Sequence, residues 1–257
     1  MNCMLMLVLF SLYAPERVGI IGAMDIELTL IKDVMVIQRT DTIADRIFTT
    51  GMLNNIPCVC VKAGIGKVNA ALTAQILIDK YDVDMIIFTG VAGGIDPGLS
   101  VGDIVISERV IHHDYGMITP ASFIPWDTLG FKADTGLVRL AFEVAKYVEF
   151  DPVPENLGIH NHLPSIVIGT VVTGDQFIAS EEKRQWLEHS FDAACVEMEG
   201  AAVAQVCALH DIPFLIIRCL SDLANEEAEI DFAVFVEYAA GNSSLFVREI
   251  FLHLATE

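Results

Sequence analysis

Acidic residues recur just past the ends of apolar runs in this sequence, where a ligand can reach them. Met24, Asp25 and Glu27 follow one run in "GAMDIE", and Glu197 and Glu199 flank Met198 in "CVEMEGAAVAQV". Asp222 ends "RCLSD", one position after Ser221 and four after Arg218. An ionised carboxylate is rarely buried unless a cation pairs with it or a ligand supplies donors. Arg218 is the one base within this set, so the acids outnumber it. Two readings follow: a salt-bridged network closing one edge of a sheet, or a site whose ligand brings hydrogen-bond donors and exchanges protons. Read singly, Asp222 is a turn or cap acid, Gly93-Gly94 in "TGVAGG" is a tight turn, and Met24, Met198 and Phe177 are core. Taken together, the methionines and Phe177 of "TGDQFI" form an apolar wall suited to a flat or thioether ligand.

The elements that position these residues alternate between strand and helix. "RVGIIGAM" reads as a strand and "IELTLIKDVM" as a helix. Two β runs around Asn54-Asn55 read as a hairpin, and "KVNAALTAQILIDKY" as an amphipathic helix. "VDMIIFTGVAGG" is an apolar strand entering a glycine-rich turn, and "VGDIVISERVIHHD" another β run. "KADTGLVRLAFEVAKYV" is a helix capped by Asp134. Asp151–Ser165, rich in Pro and Asn, is a loop insertion. The strand "IVIGTVVTGDQF" follows, then helices in "EEKRQWLEHS" and "EGAAVAQVCALH", the buried strand "IPFLIIRCLSD" and a long final helix through Gly241. Interleaved apolar strands and helices indicate one α/β domain around a parallel or mixed sheet, with ligands expected at the carboxyl ends of the strands.

Composition narrows the classes. The chain has 257 residues, 53% hydrophobic and 19% charged, with a formal net charge of −20, which describes a globular chain. Acidity with no cluster of Lys or Arg argues against nucleic acid and against an anionic membrane surface. Six scattered cysteines (Cys3, Cys58, Cys60, Cys195, Cys207, Cys219) form no CxxC pair and suit buried thiols in a reducing, cytoplasmic compartment. Met4–Tyr13 is apolar but too short to span a bilayer, lacks a basic first segment and leads into Ala14-Pro15. Residues 1–16 therefore read as an N-terminal tail or vestigial signal, with export to a periplasm as the alternative, and 17–257 as one domain.

Other motifs fail on spacing. "AGIGKVNAA" follows a strand and opens a helix, but Asn69 stands at the third glycine position of a dinucleotide fingerprint. Gly66-Lys67-Val68 lacks the Ser/Thr of a phosphate loop. His112-His113-Asp114 and His160/His162 lack a third ligand at sensible spacing, so no metal is expected. No GxSxG is present.

The ordered set "VGIIGAMDIE", "AGIGKVNAA", "TGVAGG", "VGDIVIS", "FKAD", "GDQFI", "VEMEGAAVAQVC", "IPFLIIRCLSD" and "SSL" resembles the 5′-methylthioadenosine/S-adenosylhomocysteine nucleosidases of the purine nucleoside phosphorylase/uridine phosphorylase superfamily. The resemblance runs from Arg17 to the C-terminus. It implies a three-layer α/β/α fold with a mixed, partly barrel-like central sheet, usually in a homodimer. It further implies hydrolysis of an N-glycosidic bond that releases adenine from a 5′-thio-substituted ribose, with no cofactor.

By the same resemblance Asp222 is the purine-side acid, oriented by Ser221, and Glu27 the base that activates water. Glu199 holds the ribose hydroxyls and Met198 packs on the sugar. Phe177 stacks on the purine and the Ile178 backbone bonds its edge. Met24, Ile65 and Glu197 complete the substrate contacts, with Ala92, Gly93 and Arg218 in support. The role of Glu197 is open, since Arg218 is a possible structural partner. The chemistry agrees with the residue types: bond cleavage builds positive charge on the ribose, and the leaving purine needs a proton. Asp25 and Glu27, with no base after Arg17 in that segment, disfavour a phosphate dianion. Phosphorolysis, a deoxyadenosine or futalosine-type substrate, and a non-catalytic nucleoside-binding protein are the alternatives. Three departures bear on the choice. Val91 stands where many members carry serine, the Tyr115–Gly130 loop is unlike the commoner sequence, and Asp151–Ser165 is an unusual insertion.

Overall fold

Buried aliphatic runs set the strands. The computed structural model describes residues 15–154 and 162–254. Met4–Tyr13, His160 and the centre of the Asp151–Ser165 insertion lie outside them. In chain order the first half comprises β1 (Val18–Gly22), a 3₁₀ turn (Asp25–Leu28), α1 (Thr29–Val34), β2 (Val36–Ile43), β3 (Arg46–Leu53), β4 (Ile56–Lys62), α2 (Lys67–Tyr81) and β5 (Met85–Gly94). Then come β6 (Ile104–His112), β7 (Gly116–Ile118), β8 (Phe123–Pro125), β9 (Phe131–Lys132) and α3 (Thr135–Ala145). The chain ends with β10 (Ile166–Thr173), α4 (Glu181–Phe191), β11 (Ala193–Glu197), α5 (Gly200–Leu209), β12 (Phe214–Asp222) and α6 (Ala228–Leu254).

The main sheet runs β11-β10-β6-β12-β5-β1-β4-β3-β2, with β9 beside β6. It is mixed: β1 is parallel to β4 and β5, whereas β12 is antiparallel to β6. Strand β11 also pairs antiparallel with β5, Cys195 opposite Gly94 and Val196 opposite Gly93, which closes β11, β10, β6, β12 and β5 into a barrel. Helices α2 and α5 cover one face through small residues, Ala70 and Ala74 sharing a core with Ala201 and Ala204. Helices α1, α3 and α6 cover the other, where Ile31, Leu137, Phe246 and Ile250 meet Ile20, Ile87 and Ile217. This is the expected three-layer arrangement.

Two expectations are corrected. The glycines of "TGVAGG" form no turn, because β5 continues through Gly94. Their missing side chains let the Glu27 and Asp222 carboxylates approach the strand. A Cβ on Gly90 would lie 2.8 Å from Glu27 Oε1, and one on Gly93 2.7 Å from Asp222 Oδ1. The second concerns α2, which is a helix, but its apolar residues are not confined to the inner face: Val68 and Leu72 are exposed. The β3–β4 hairpin turns at Asn54 and Asn55, both at positive φ as a two-residue turn of this hand demands. Asp134 caps α3 by accepting from Leu137 N–H at 2.9 Å. Among the described residues no helix is long and apolar enough to cross a membrane.

Candidate active site

The strand ends converge on one cavity. Its walls include Met24 and Glu27 after β1, Ile65 before α2, Val91, Ala92 and Gly93 on β5, and Gln176, Phe177 and Ile178 after β10. They also include Val196, Glu197, Met198 and Glu199 at the end of β11, Ser221 and Asp222 at the end of β12, and Phe232 on α6. Parallel strands point their carboxyl ends the same way, and barrel closure brings β11 round to face β5 and β12. Twelve of the thirteen residues given site roles above thus line one space, and Arg218 lies directly behind it, 1% exposed.

Glu27 sits at the end of the 3₁₀ turn, 2% exposed. Its Oε2 accepts the Met24 N–H at 2.8 Å and its Oε1 the Val91 N–H at 3.2 Å. Burial raises its pKa above the ordinary carboxylate value, while the charge of Arg218 and the backbone donors act against that rise. Asp25 points elsewhere. Its carboxylate is exposed and paired with Lys62 at 2.5 Å, so it does not contribute to the cavity as the sequence reading had it.

Glu197 is saturated from within the protein. Its Oε2 accepts from Arg218 Nη2 at 2.6 Å, from Gly200 N–H at 2.7 Å and from Glu199 N–H at 3.1 Å. Its Oε1 accepts from the Thr173 hydroxyl, which in turn accepts the Ala201 N–H at 2.8 Å. The carboxylate has four donors within the protein, which account for its burial without a ligand, and it still lines the cavity wall. The Arg218 guanidinium also covers the Phe88 ring at 4.1 Å and reaches the Ile217 carbonyl at 3.1 Å. Glu199 contrasts with its neighbour. It has one donor within the protein, the Gly66 N–H at 2.7 Å on Oε1. Burial, then the negative charge of Glu197, push it up to about 8, against the pull of Arg218. Gly66 needs its glycine: it adopts φ +98° at the helix start, aiming the N–H at Glu199. That use of "AGIG" replaces any dinucleotide role.

Asp222 is held from two sides, Oδ2 by the Ser221 hydroxyl and Oδ1 by the Ala224 N–H, each at 2.9 Å. Burial lifts its pKa from 3.8 to about 6, with both donors opposing. Phe177 is half exposed at the mouth and meets Phe232 edge to face, ring centroids 5.8 Å apart. Phe232 escaped the sequence reading because it arrives on a helix whose first turn shows no local site signal. Thr173 escaped it too, although its position one residue before the "GDQF" motif was visible. Among the described residues no group of three or more His, Cys, Asp or Glu is arranged to hold a metal ion.

The chain matches the phosphorylase superfamily model over residues 17–251. It is 39% identical to a 5′-methylthioadenosine/S-adenosylhomocysteine nucleosidase of Mycobacterium bovis, over 90% of this chain and 95% of that one. Among solved structures it is similar to the nucleosidase of that type from Neisseria meningitidis in complex with methylthio-immucillin-A. There the TM-score is 0.81 and the identity 34%, covering 92% of this chain and 99% of that one. A futalosine hydrolase of Helicobacter pylori also matches, with TM-score 0.79 and 30% identity over 91% and 97% of the two chains. The chain therefore belongs to the phosphorylase superfamily, and within it to the family of 5′-methylthioadenosine/S-adenosylhomocysteine nucleosidases.

Proposed function

We propose that this protein hydrolyses the N-glycosidic bond of 5′-methylthioadenosine and S-adenosylhomocysteine, releasing adenine and the 5′-thio-substituted ribose. One observation carries the choice of water over phosphate. The cavity is lined by Glu27, Glu197, Glu199 and Asp222, and its lining residues include no Lys, Arg or His. The nearest cation, Arg218, is already committed to Glu197. Such a cavity repels a phosphate dianion and stabilises a cationic ribose.

In this reading Asp222, kept partly protonated by burial, gives its proton to N7 of the departing purine while Ser221 fixes its orientation. Phe177 stacks on the base and the Ile178 backbone meets its edge. Glu199 accepts hydrogen bonds from the two ribose hydroxyls, which offset its desolvation. Met198 packs on the sugar, and Met24, Ile65 and Phe232 enclose the 5′ substituent. Glu27 takes a proton from water as it attacks the anomeric carbon; burial makes it a stronger base than a free carboxylate, and the charge of Arg218 opposes that rise. A homodimer is part of the proposal, supported by an exposed apolar face that begins beside Ile65 and includes Val68, Tyr115 and Leu209. The five described cysteines are free and buried, which supports a reducing, cytoplasmic setting.

The test is chromatographic. Purified protein is offered methylthioadenosine, S-adenosylhomocysteine, deoxyadenosine and a futalosine-type nucleoside, with and without phosphate. Adenine release from the two thio-nucleosides at a phosphate-independent rate is the expected result. Strict phosphate dependence with a sugar 1-phosphate product, or binding without turnover, overturns the proposal.

A further inference from the structure

Helix α6 packs an apolar side on the sheet, with one interruption: Asn242, Ser243 and Ser244 are polar and buried, both serines completely. Serine hydroxyls within helices usually bond back to a carbonyl of the preceding turn. These two reach out of the helix. Ser243 Oγ accepts the Gly90 N–H at 3.1 Å and lies 2.7 Å from Thr89 Oγ1. The Ser244 hydroxyl donates to the backbone carbonyl of Glu27.

Those two backbone segments define where the Glu27 carboxylate sits. The pairing of β1 with β5 ends at Phe88, and Gly90 lies just beyond it, where its N–H finds Ser243. A Cβ on Gly90 would lie 2.8 Å from Glu27 Oε1, and the next N–H, of Val91, donates to that oxygen. Adjacent hydroxyls on one helix thus hold both the turn that bears Glu27 and the strand that orients it. We propose that Ser243 and Ser244 are positioning residues that fix Glu27 for attack by water. The inference rests on the reading of Glu27 as the base.

Misplacing a reacting group by about 1 Å costs roughly 100-fold in rate. Ser243→Ala and Ser244→Ala are each expected to lower kcat for methylthioadenosine hydrolysis roughly 10- to 100-fold. KM and the Kd for adenine should stay within about threefold, because the purine side is held by other residues. The acid limb of the kcat/KM profile should move to higher pH, since loosened Met24 and Val91 donors favour the ionised Glu27 less. Arg218 and Glu199 are the charged groups facing it, and neither is altered. Ser107→Ala is the control: Ser107 is equally buried and accepts the Ile216 N–H at 3.0 Å, away from the site. It should lower the melting temperature with kcat nearly unchanged. Should an alanine variant fail to fold, Ser243→Cys and Ser244→Cys keep the volume and weaken the bond, and the same kcat loss at constant adenine affinity is expected. Variants that keep wild-type kcat, that lose adenine affinity in step with kcat, or that merely match Ser107→Ala overturn the inference. Wild-type protein that releases no adenine without phosphate sinks instead the reading of Glu27 beneath it.

Discussion

Replacing Asp222 by Asn preserves size and the oxygen that accepts the Ala224 N–H, but removes the acidic proton. The size of the effect follows from the site. Burial moves the Asp222 pKa from 3.8 to about 6. At pH 7 roughly one Asp222 in ten is then protonated, against about one in 1,600 at the ordinary value. Burial thus enriches the acid form about 150-fold, inside the roughly 10²- to 10⁴-fold that a positioned general acid contributes. Asp222→Asn is expected to lower kcat for adenine release by about 10²- to 10⁴-fold, with KM changed only a few-fold. The assay is quenched-flow chromatography of adenine from methylthioadenosine. A second substrate isolates the role: a 5-methylthioriboside of 4-nitrophenolate departs without a proton and should lose far less. A kcat within about tenfold of wild type, or equal losses on both substrates, would refute the assignment of Asp222 as the acid.

Three further outcomes are expected. Glu27→Gln keeps the side chain's size and an oxygen for one of the Met24 and Val91 N–H donors but cannot accept a proton, so kcat should fall about 10²-fold or more while adenine binding measured by calorimetry persists; a mild effect would remove the base. Gly93→Ala places a methyl 2.7 Å from Asp222 Oδ1 near the end of β5, so either the carboxylate or the strand must move. Loss of activity beyond any fall in melting temperature is the expected signature, and full activity contradicts the packing described. Glu199, held near 8 in the free protein, is mostly protonated at pH 7, and diol donors favour its ionised form. Binding of a carbon-linked adenine nucleoside should therefore release roughly 0.5 to 1 proton more than binding of adenine, measured by calorimetry in buffers of different ionisation enthalpy. Glu199→Gln should abolish that difference, and equal proton counts in wild type would contradict the role of Glu199.

Much of this was legible in the sequence, for identifiable reasons. Strands β1, β5 and β12 are buried along their length and read as unbroken apolar runs, and acids just past such runs stand out by type. Strand β2 did not stand out: Gln38, Arg39 and Asp41 mark an exposed edge strand whose existence depends on β3 beside it. Glycines normally punctuate chains, so Gly93 and Gly94 read as a turn, whereas barrel closure by β11 makes them strand. Residue types showed that Glu197 and Glu199 could not both be unpaired, yet their division of labour lay in long-range contacts. Thr173, Gly200 and Arg218 saturate Glu197, and a lone Gly66 donor leaves Glu199 free to accept a ligand's hydroxyls. Phe232 reaches the site only through the packing of α6, which no local pattern encodes.

The most direct measurement is a crystal structure with a carbon-linked adenine nucleoside bearing a 5′-methylthio group. Glu199 should accept from both ribose hydroxyls, Asp222 should meet N7, and a water should bridge Glu27 and the anomeric carbon. A ligand seated elsewhere, or one in this cavity with its sugar turned away from Glu27 and Glu199, would contradict the convergence of the three carboxylates on one scissile bond.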